Sequence, residues 1–308
     1  MRILITEFMD PPAVARLAAA HDVLYDPALV DDRPRLIAEA ARADAIVVRN
    51  RTQVRGELLG ALARCKVVGR LGVGLDNIDL PGCEAHGIAV IPATGANALA
   101  VAEYVVASAM LLRRGAYAST AEVAVGSWPR AVLGNGRETA GTTLGLIGFG
   151  TIGQLTAGLA RGLGMAVVAF DAMMDEDHPA FDDAGVRCVG LDELVRGADV
   201  ISLHVPLVDS TRDLFDAERI AQMKPGAVLI NTARGGNVDE QALAAALRSG
   251  QLGGAAIDVF GVEPLPASPH FLGCPNLLLT PHVAGVTAES NERVSTLIAD
   301  KLLQALAA

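Results

Sequence analysis

Three residues in the second half of the chain stand at comparable places. Arg234 follows the apolar run "AVLINTA", Glu263 follows "AAIDVF", and His282 closes "NLLLTPH". Each alone has an ordinary reading, as a surface arginine, a loop carboxylate and a packed strand-end histidine. Together, at successive ends of apolar runs, they read as one constellation. A histidine titrating near neutrality can take a proton from an alcohol as a hydride leaves. A carboxylate beside it orients the ring and stabilises its charged form. A planar arginine can hold a substrate carboxylate through two parallel hydrogen bonds.

Such an oxidation needs a hydride acceptor, and "LGLIGFGTIGQ" offers a site for one. It contains G-x-G-x-x-G at Gly148, Gly150 and Gly153. Glycine is abundant here, so the spacing alone is weak. Its context is stronger, because an apolar run precedes it, a helical pattern follows, and Asp171 ends the next apolar run "AVVAFD". Gly148 suits a tight turn, Gly150 a close backbone approach to a pyrophosphate, and Gly153 the packing of helix on strand. Asp171 can accept hydrogen bonds from ribose hydroxyls and would repel a 2′-phosphate. The following "AMM" supplies no arginine for one, so NAD is expected rather than NADP.

A third feature is "IVVRNRTQVRG", which places Arg49, Arg51 and Arg55 just past a short apolar run in a chain of net charge −10. Arg55 falls into the helical pattern that follows and reads as a solvated charge. Arg49 and Arg51, with Asn50 between them, are candidates for gripping an anion.

These residues need a scaffold that brings strand ends together. "RILIT", "HDVLYD", "AIVVRN", "CKVVGRLG" and "GIAVIP" read as short strands separated by helical segments such as "PPAVARLAAA" and "DRPRLIAEAARA". "TTLGLIGFG", "AVVAFD", "DVISLHVPL", "AVLINTARGG", "GAAIDVF" and "NLLLTPH" repeat the alternation with longer strands. Alternating strands and helices imply parallel sheets covered on both faces. The fold class is α/β, with two doubly wound parallel-sheet domains. One is a discontinuous, flavodoxin-like substrate domain over residues 1–98 and 287–308. The other is a Rossmann NAD-binding domain over 99–286. Long amphipathic helices are expected from about Asn97 to Arg114 and from about Thr287 to the end.

Composition narrows the partners. An acidic chain lacks the basic face that nucleic acid requires, although a local basic pocket can still hold a small anion. Cys65, Cys83, Cys188 and Cys274 show neither a disulfide pattern nor metal-ligand spacing, so no metal is expected and a reducing compartment is. The N-terminus has no signal-like core, and no apolar run approaches the roughly 20 residues that span a bilayer. A cytoplasmic protein without membrane contact is the expectation.

"LGLIGFGTIG", "LHVPL", "MKPGAVLINTARGG", "AIDVFGVEPL" and "TPHVAG" resemble the D-isomer-specific 2-hydroxyacid dehydrogenases, particularly the phosphoglycerate dehydrogenase branch. "VGRLGVGLDNIDL" and "GANALAVAEYVV" carry the likeness into the first half. The resemblance implies that Arg234 binds the substrate carboxylate and polarises the carbonyl, that His282 is the general acid/base, and that Glu263 is its charge partner. It places Thr151, Ile152, Asp171, Val205, Thr232, Ala233, Asp258 and Gly285 along the cofactor. It also assigns the backbone at Val73 and Gly74 to the substrate carboxylate and implies a homodimer built on the larger domain. Ala172 departs from the family, which often has proline there.

In the phosphoglycerate-type pattern a small residue usually stands where this chain has Arg51, and serine where it has Asn50. The extra guanidinium suggests a substrate with a second strong anion. "EFMD", "VVRNRT", "LRRGAY" and "AGVTAESNERVS" are similar to the family's sulfolactate dehydrogenases. Chirality agrees, since the sulfur-bearing carbon outranks the carboxylate in naming and turns the D arrangement into (S). D-3-phosphoglycerate is the next candidate, followed by glyoxylate or hydroxypyruvate. From another class, some relatives are NAD-binding corepressors that keep the same trio.

Overall fold

The computed structural model describes residues 1–307. It divides into two compact units, Met1–Asn97 with Val286–Ala308, and Ala98–Gly285.

The smaller unit is built on five parallel strands: β1 (Arg2–Ile5), β2 (Asp22–Tyr25), β3 (Ala45–Val48), β4 (Val67–Arg70) and β5 (Ala89–Pro92). Their order is β2-β1-β3-β4-β5. Alternation along each strand sends Ile3, Ile5, Val47 and Val67 to one face and Leu4, Ile46, Val48 and Val68 to the other. Both faces are therefore apolar and both are covered. Leu17 of the helix Pro11–Ala18 and Ile298 and Leu302 of the final helix Ala288–Ala307 close the first. Leu36 and Leu58, on the helices Arg33–Ala40 and Gly56–Ala61, close the second. The winding reverses between β1 and β3, so their carboxyl ends form a topological switch point, where open α/β sheets bind ligands.

The larger unit carries seven parallel strands: β6 (Thr143–Ile147), β7 (Ala166–Phe170), β8 (Arg187–Cys188), β9 (Val200–Leu203), β10 (Ala227–Asn231), β11 (Leu252–Ile257) and β12 (Leu277–Leu279). Their order is β12-β11-β10-β9-β6-β7-β8, with the switch between β6 and β9. The helices Ala98–Arg114 and Thr151–Gly162 bury Val105, Leu112, Ala157 and Ala160 against one face. Leu194, Ile220, Leu243 and Leu247 cover the other.

The structure differs from the sequence reading in places. β8 has only two residues, too few to leave a periodic signal. "NLLLTPH" stops being a strand at Leu279, so His282 stands in the loop beyond. Between the long helix and β6 lie the short helices Thr120–Ala124 and Arg130–Leu133, neither of which buries a residue. Among the described residues no helix is long and apolar enough to cross a membrane. No group of three or more histidine, cysteine or acidic side chains among them could hold a metal ion.

Candidate active site

The glycine loop lies at the switch point of the larger sheet. Gly148 has φ +93°, and a Cβ on it would stand 2.4 Å from the His204 carbonyl oxygen. A Cβ on Gly153 would meet the Gly148 carbonyl oxygen at 2.5 Å, so the helix can approach the strand only as glycine allows. Gly150 is different, because nothing lies within 4 Å of where its Cβ would be. That open space faces the start of the helix Thr151–Gly162, which no side chain caps. Uncapped N–H groups and the positive dipole end suit a pyrophosphate there.

Asp171 ties this loop to the end of β7. Its Oδ2 accepts from Phe149 N at 2.7 Å and its Oδ1 from Met173 N at 2.8 Å. Each carboxylate oxygen keeps a lone pair for a ribose hydroxyl. Along the same strand ends, Thr232 Oγ1 is buried without a protein partner, as buried polar atoms rarely are unless another molecule satisfies them. Ala233 is buried, Ile152 and Val205 are half-buried, and Thr151 is exposed. These residues fit a dinucleotide.

Next to them, His282 and Glu263 meet. His282 Nδ1 lies 2.7 Å from Glu263 Oε2, and Glu263 Oε1 accepts from Phe260 N at 2.9 Å. Partial burial would raise the Glu263 carboxyl. The hydrogen bonds from His282 and Phe260 and the charges of His282 and Arg234 outweigh it, holding the group below the usual carboxylate range. Glu263 is thus an anion at neutral pH and only accepts. The proton must sit on Nδ1, which leaves Nε2 to exchange a proton with a substrate.

Arg234 is placed by two buried asparagines. Asn231 donates from Nδ2 to Arg234 O at 2.9 Å, and Asn237 Oδ1 accepts from Arg234 N at 3.1 Å. This turn packs onto the Glu263 loop so closely that a Cβ on Gly235 would lie 1.8 Å from Phe260 O. The strand-end pattern singles out Arg234, Glu263 and His282, and the fold brings all three into one neighbourhood.

The loop bearing His282 is held by Asp258. Asp258 Oδ1 accepts from Thr280 Oγ1 at 2.6 Å and from Val283 N at 2.8 Å, and Oδ2 accepts from Ala284 N at 2.8 Å. Its carbonyl oxygen accepts from His282 N at 2.8 Å. His282 has φ 56 degrees on the positive side, a region that side chains with a Cβ seldom enter. Such strain persists where its surroundings over-determine it, and here Asp258 does so. Thr280 Oγ1 in turn lies 2.6 Å from Tyr104 OH, on the helix Ala98–Arg114. Tyr104 and Thr280 escape a reading of the sequence, because a tyrosine on an apolar helix reads as core.

Comparison with known proteins follows the same line. Residues 106–284, more than half of the chain, match the family model "D-isomer specific 2-hydroxyacid dehydrogenase, NAD binding domain". The chain belongs to the D-isomer-specific 2-hydroxyacid dehydrogenases. It is 52% identical over 304 residues to an (S)-sulfolactate dehydrogenase of Chromohalobacter salexigens, covering 99% of this chain and 98% of that one. It is 38% identical over 307 residues to the D-3-phosphoglycerate dehydrogenase of Mycobacterium tuberculosis, covering 99% of this chain and 57% of that one. Among solved structures, an NAD-dependent formate dehydrogenase of Staphylococcus aureus in complex with NAD superposes with TM-score 0.84 at 28% identity, covering 99% of this chain and 95% of that one. The protein is an NAD-dependent oxidoreductase.

In the smaller unit of the dehydrogenase, the arginine loop follows β3. Arg51 is exposed and its guanidinium is ion-paired with Asp31, and Asn50 is exposed beside it. Arg49 is half-buried. Its Nη2 donates to Asn291 Oδ1 at 2.9 Å, and its guanidinium lies 5.9 Å from the centre of the Phe8 ring. Burial pulls the Arg49 guanidinium below its ordinary range, opposed by the negative charge of Glu7. Among the described residues it forms no ion pair. The two arginines that look alike in sequence therefore differ: one is ion-paired at the surface, the other is desolvated and feels the Glu7 charge without an ion pair of its own. Arg55 donates to the Asp76 carbonyl oxygen at the surface. Val73 is exposed and Gly74 half-buried, in the loop after β4.

Proposed function

We propose that this dehydrogenase oxidises (S)-sulfolactate to sulfopyruvate. The observation that carries the reading is Arg49, a desolvated guanidinium without an ion-pair partner among the described residues, at the carboxyl end of a switch-point strand. A cation so placed suits a second strong anion on the substrate. The 52% identity to a protein named for that activity supports the same reading. D-3-phosphoglycerate offers a phosphate in the same role and is the second candidate.

Bound NAD supplies the hydride acceptor; the chain's own residues handle charge and proton. Arg234 holds the carboxylate at C1 and polarises the oxygen at C2, with the backbone at Val73 and Gly74 contributing to the carboxylate. His282 Nε2 takes the hydroxyl proton as the C2 hydride leaves, and Glu263 stabilises the imidazolium. Arg49 grips the sulfonate at C3. Thr151, Ile152, Val205, Thr232, Ala233, Asp258 and Gly285 line the cofactor, whose ribose is held by Asp171. Substrate binding is the task of the smaller unit.

We further propose a homodimer assembled through residues 117–132. Val125, Trp128 and Val132 are 83%, 76% and 73% exposed. Such a density of bare apolar side chains marks an interaction surface. Sedimentation at several concentrations tests it: a mass of twice 31.8 kDa is expected, and a monomer throughout would overturn it.

The substrate is tested by NADH formation against (S)-sulfolactate, D-3-phosphoglycerate, D-glycerate and D-lactate, in wild type and in Arg49→Ala and Arg51→Ala. Sulfolactate should give the highest kcat/KM. Arg49→Ala should cost it about 2–5 kcal/mol, the range for truncating one partner of a buried charge pair. Arg51→Ala should change it little. A panel led by D-3-phosphoglycerate would transfer the assignment to that substrate. Equal losses on D-lactate and sulfolactate would remove Arg49 from anion recognition.

A further inference from the structure

The Arg49 loop is fixed from beneath by two buried polar side chains. Glu7 follows β1 and Arg49 follows β3, so the two meet at the switch point of the smaller sheet. Glu7 is 4% exposed, and its carboxylate faces the backbone of the loop. Oε1 accepts from Arg49 N at 2.8 Å and from Thr52 N at 2.9 Å, while Oε2 accepts from Arg51 N at 3.1 Å. Asn77, 6% exposed, satisfies the carbonyl side of the same loop. Its Nδ2 donates to Thr52 O at 2.7 Å and to Arg49 O at 3.2 Å. Thr6 and Thr52 join their hydroxyls at 2.9 Å beside them.

A buried carboxylate is costly unless it is hydrogen-bonded, and a loop of this length could be closed with neutral groups. What the carboxylate adds is a fixed negative charge that draws three N–H groups of one short stretch inward. With its backbone turned inward on both sides, the loop cannot pivot, and the Arg49 guanidinium is set between Phe8 and Asn291. A guanidinium already ordered loses less entropy on binding an anion.

We propose that Glu7 and Asn77 are positioning residues: a buried clamp that holds Arg49 in place for the second anion of the substrate and so sets the preference for doubly anionic hydroxy acids. The inference rests on Arg49 being that grip, as proposed above. The clamp touches neither substrate nor cofactor and acts only through Arg49.

The test uses full-length Glu7→Gln, Asn77→Ala, Arg49→Ala and the double variant Glu7→Gln/Arg49→Ala, assayed with NAD on (S)-sulfolactate and on D-glycerate, which has one carboxylate. Glutamine keeps one acceptor oxygen for the loop, so Glu7→Gln should fold; Asn77→Ala gives an independent reading if it does not. Glu7→Gln should raise KM for sulfolactate about tenfold or more, with kcat within about twofold, and change kcat/KM for D-glycerate less than about threefold. In the double variant the effects should not add, since residues acting as a unit do not.

Equal losses on both substrates, or an additive double variant, would overturn the clamp while leaving Arg49 as the grip. The same holds if Arg49→Ala impairs sulfolactate and neither Glu7→Gln nor Asn77→Ala does. If Arg49→Ala itself spares sulfolactate, the anion reading fails and the clamp has no function to serve.

Discussion

Replacing Glu263 with glutamine removes one charge from the 2.7 Å contact with His282 and leaves a neutral acceptor in its place. The Gln side-chain oxygen can still receive the Nδ1 proton, so the ring should keep its orientation. What is lost is the compensation of the imidazolium that forms when His282 takes the substrate proton. A hydrogen bond to a charged group contributes about 1.5–3 kcal/mol. The His282 and Glu263 side chains are 41% and 32% exposed. Solvent screening at that exposure favours the lower part of the range. At 1.4 kcal/mol per tenfold, kcat should fall about 10–40-fold.

The assay is initial-rate NADH formation at saturating hydroxy acid across pH, with NAD affinity measured separately by fluorescence. NAD affinity should hold. A kcat within twofold of wild type, or a loss confined to NAD affinity, would refute the charge-partner reasoning. Stability carries a second signature. The native Glu263 carboxyl titrates below its unfolded value, so its contribution is complete above the ordinary carboxylate range. It is lost as pH falls through the lower native value. The difference in Tm between wild type and Glu263→Gln should therefore be steady near neutrality and shrink in acid.

Other outcomes follow from the same geometry. Gly150→Ala has no protein atom to strike within 4 Å, so its Tm should stay near that of wild type while NAD affinity falls; Gly148→Ala, facing His204 O at 2.4 Å with φ +93°, should lose stability outright. The reverse order would displace the pyrophosphate from Gly150. His204 is half-buried with its ring Nε2 shut away from solvent, and desolvation pushes its pKa from 6.5 down to about 4. Between those values the unfolded chain binds more protons, so stability should rise with pH across that window, by about 3 kcal/mol in total, and be complete above it. Denaturant titrations of wild type and His204→Gln check this, and equal slopes in both would contradict it.

Much of this site is legible in the sequence because strand ends in an open parallel sheet converge. Arg234, Glu263 and His282 follow separate apolar runs, and parallel pairing brings those ends to one edge. The glycine loop is legible because its demands are local: a positive φ at Gly148 and a close approach at Gly153. What escapes is partnership across long separations. Arg49 and Arg51 are two residues apart and chemically identical, yet Asp31 neutralises one while Phe8 and Asn291 desolvate the other. Nothing local in the sequence tells what Glu7 faces, and only the return of β3 beside β1 shows that its carboxylate faces the arginine loop. The bare segment at 117–132 escapes for the opposite reason, since it buries too little within its own chain to impose a period.

The most direct measurement follows one atom. The enzyme is incubated with NAD and (S)-sulfolactate deuterated at C2, and the products are read by mass spectrometry. One deuterium should appear in the reduced cofactor for each sulfopyruvate formed, with no transfer in His282→Ala and none from the (R) enantiomer. Reduced cofactor without the label, or no sulfopyruvate from a folded enzyme that binds NAD, would contradict the proposed reaction.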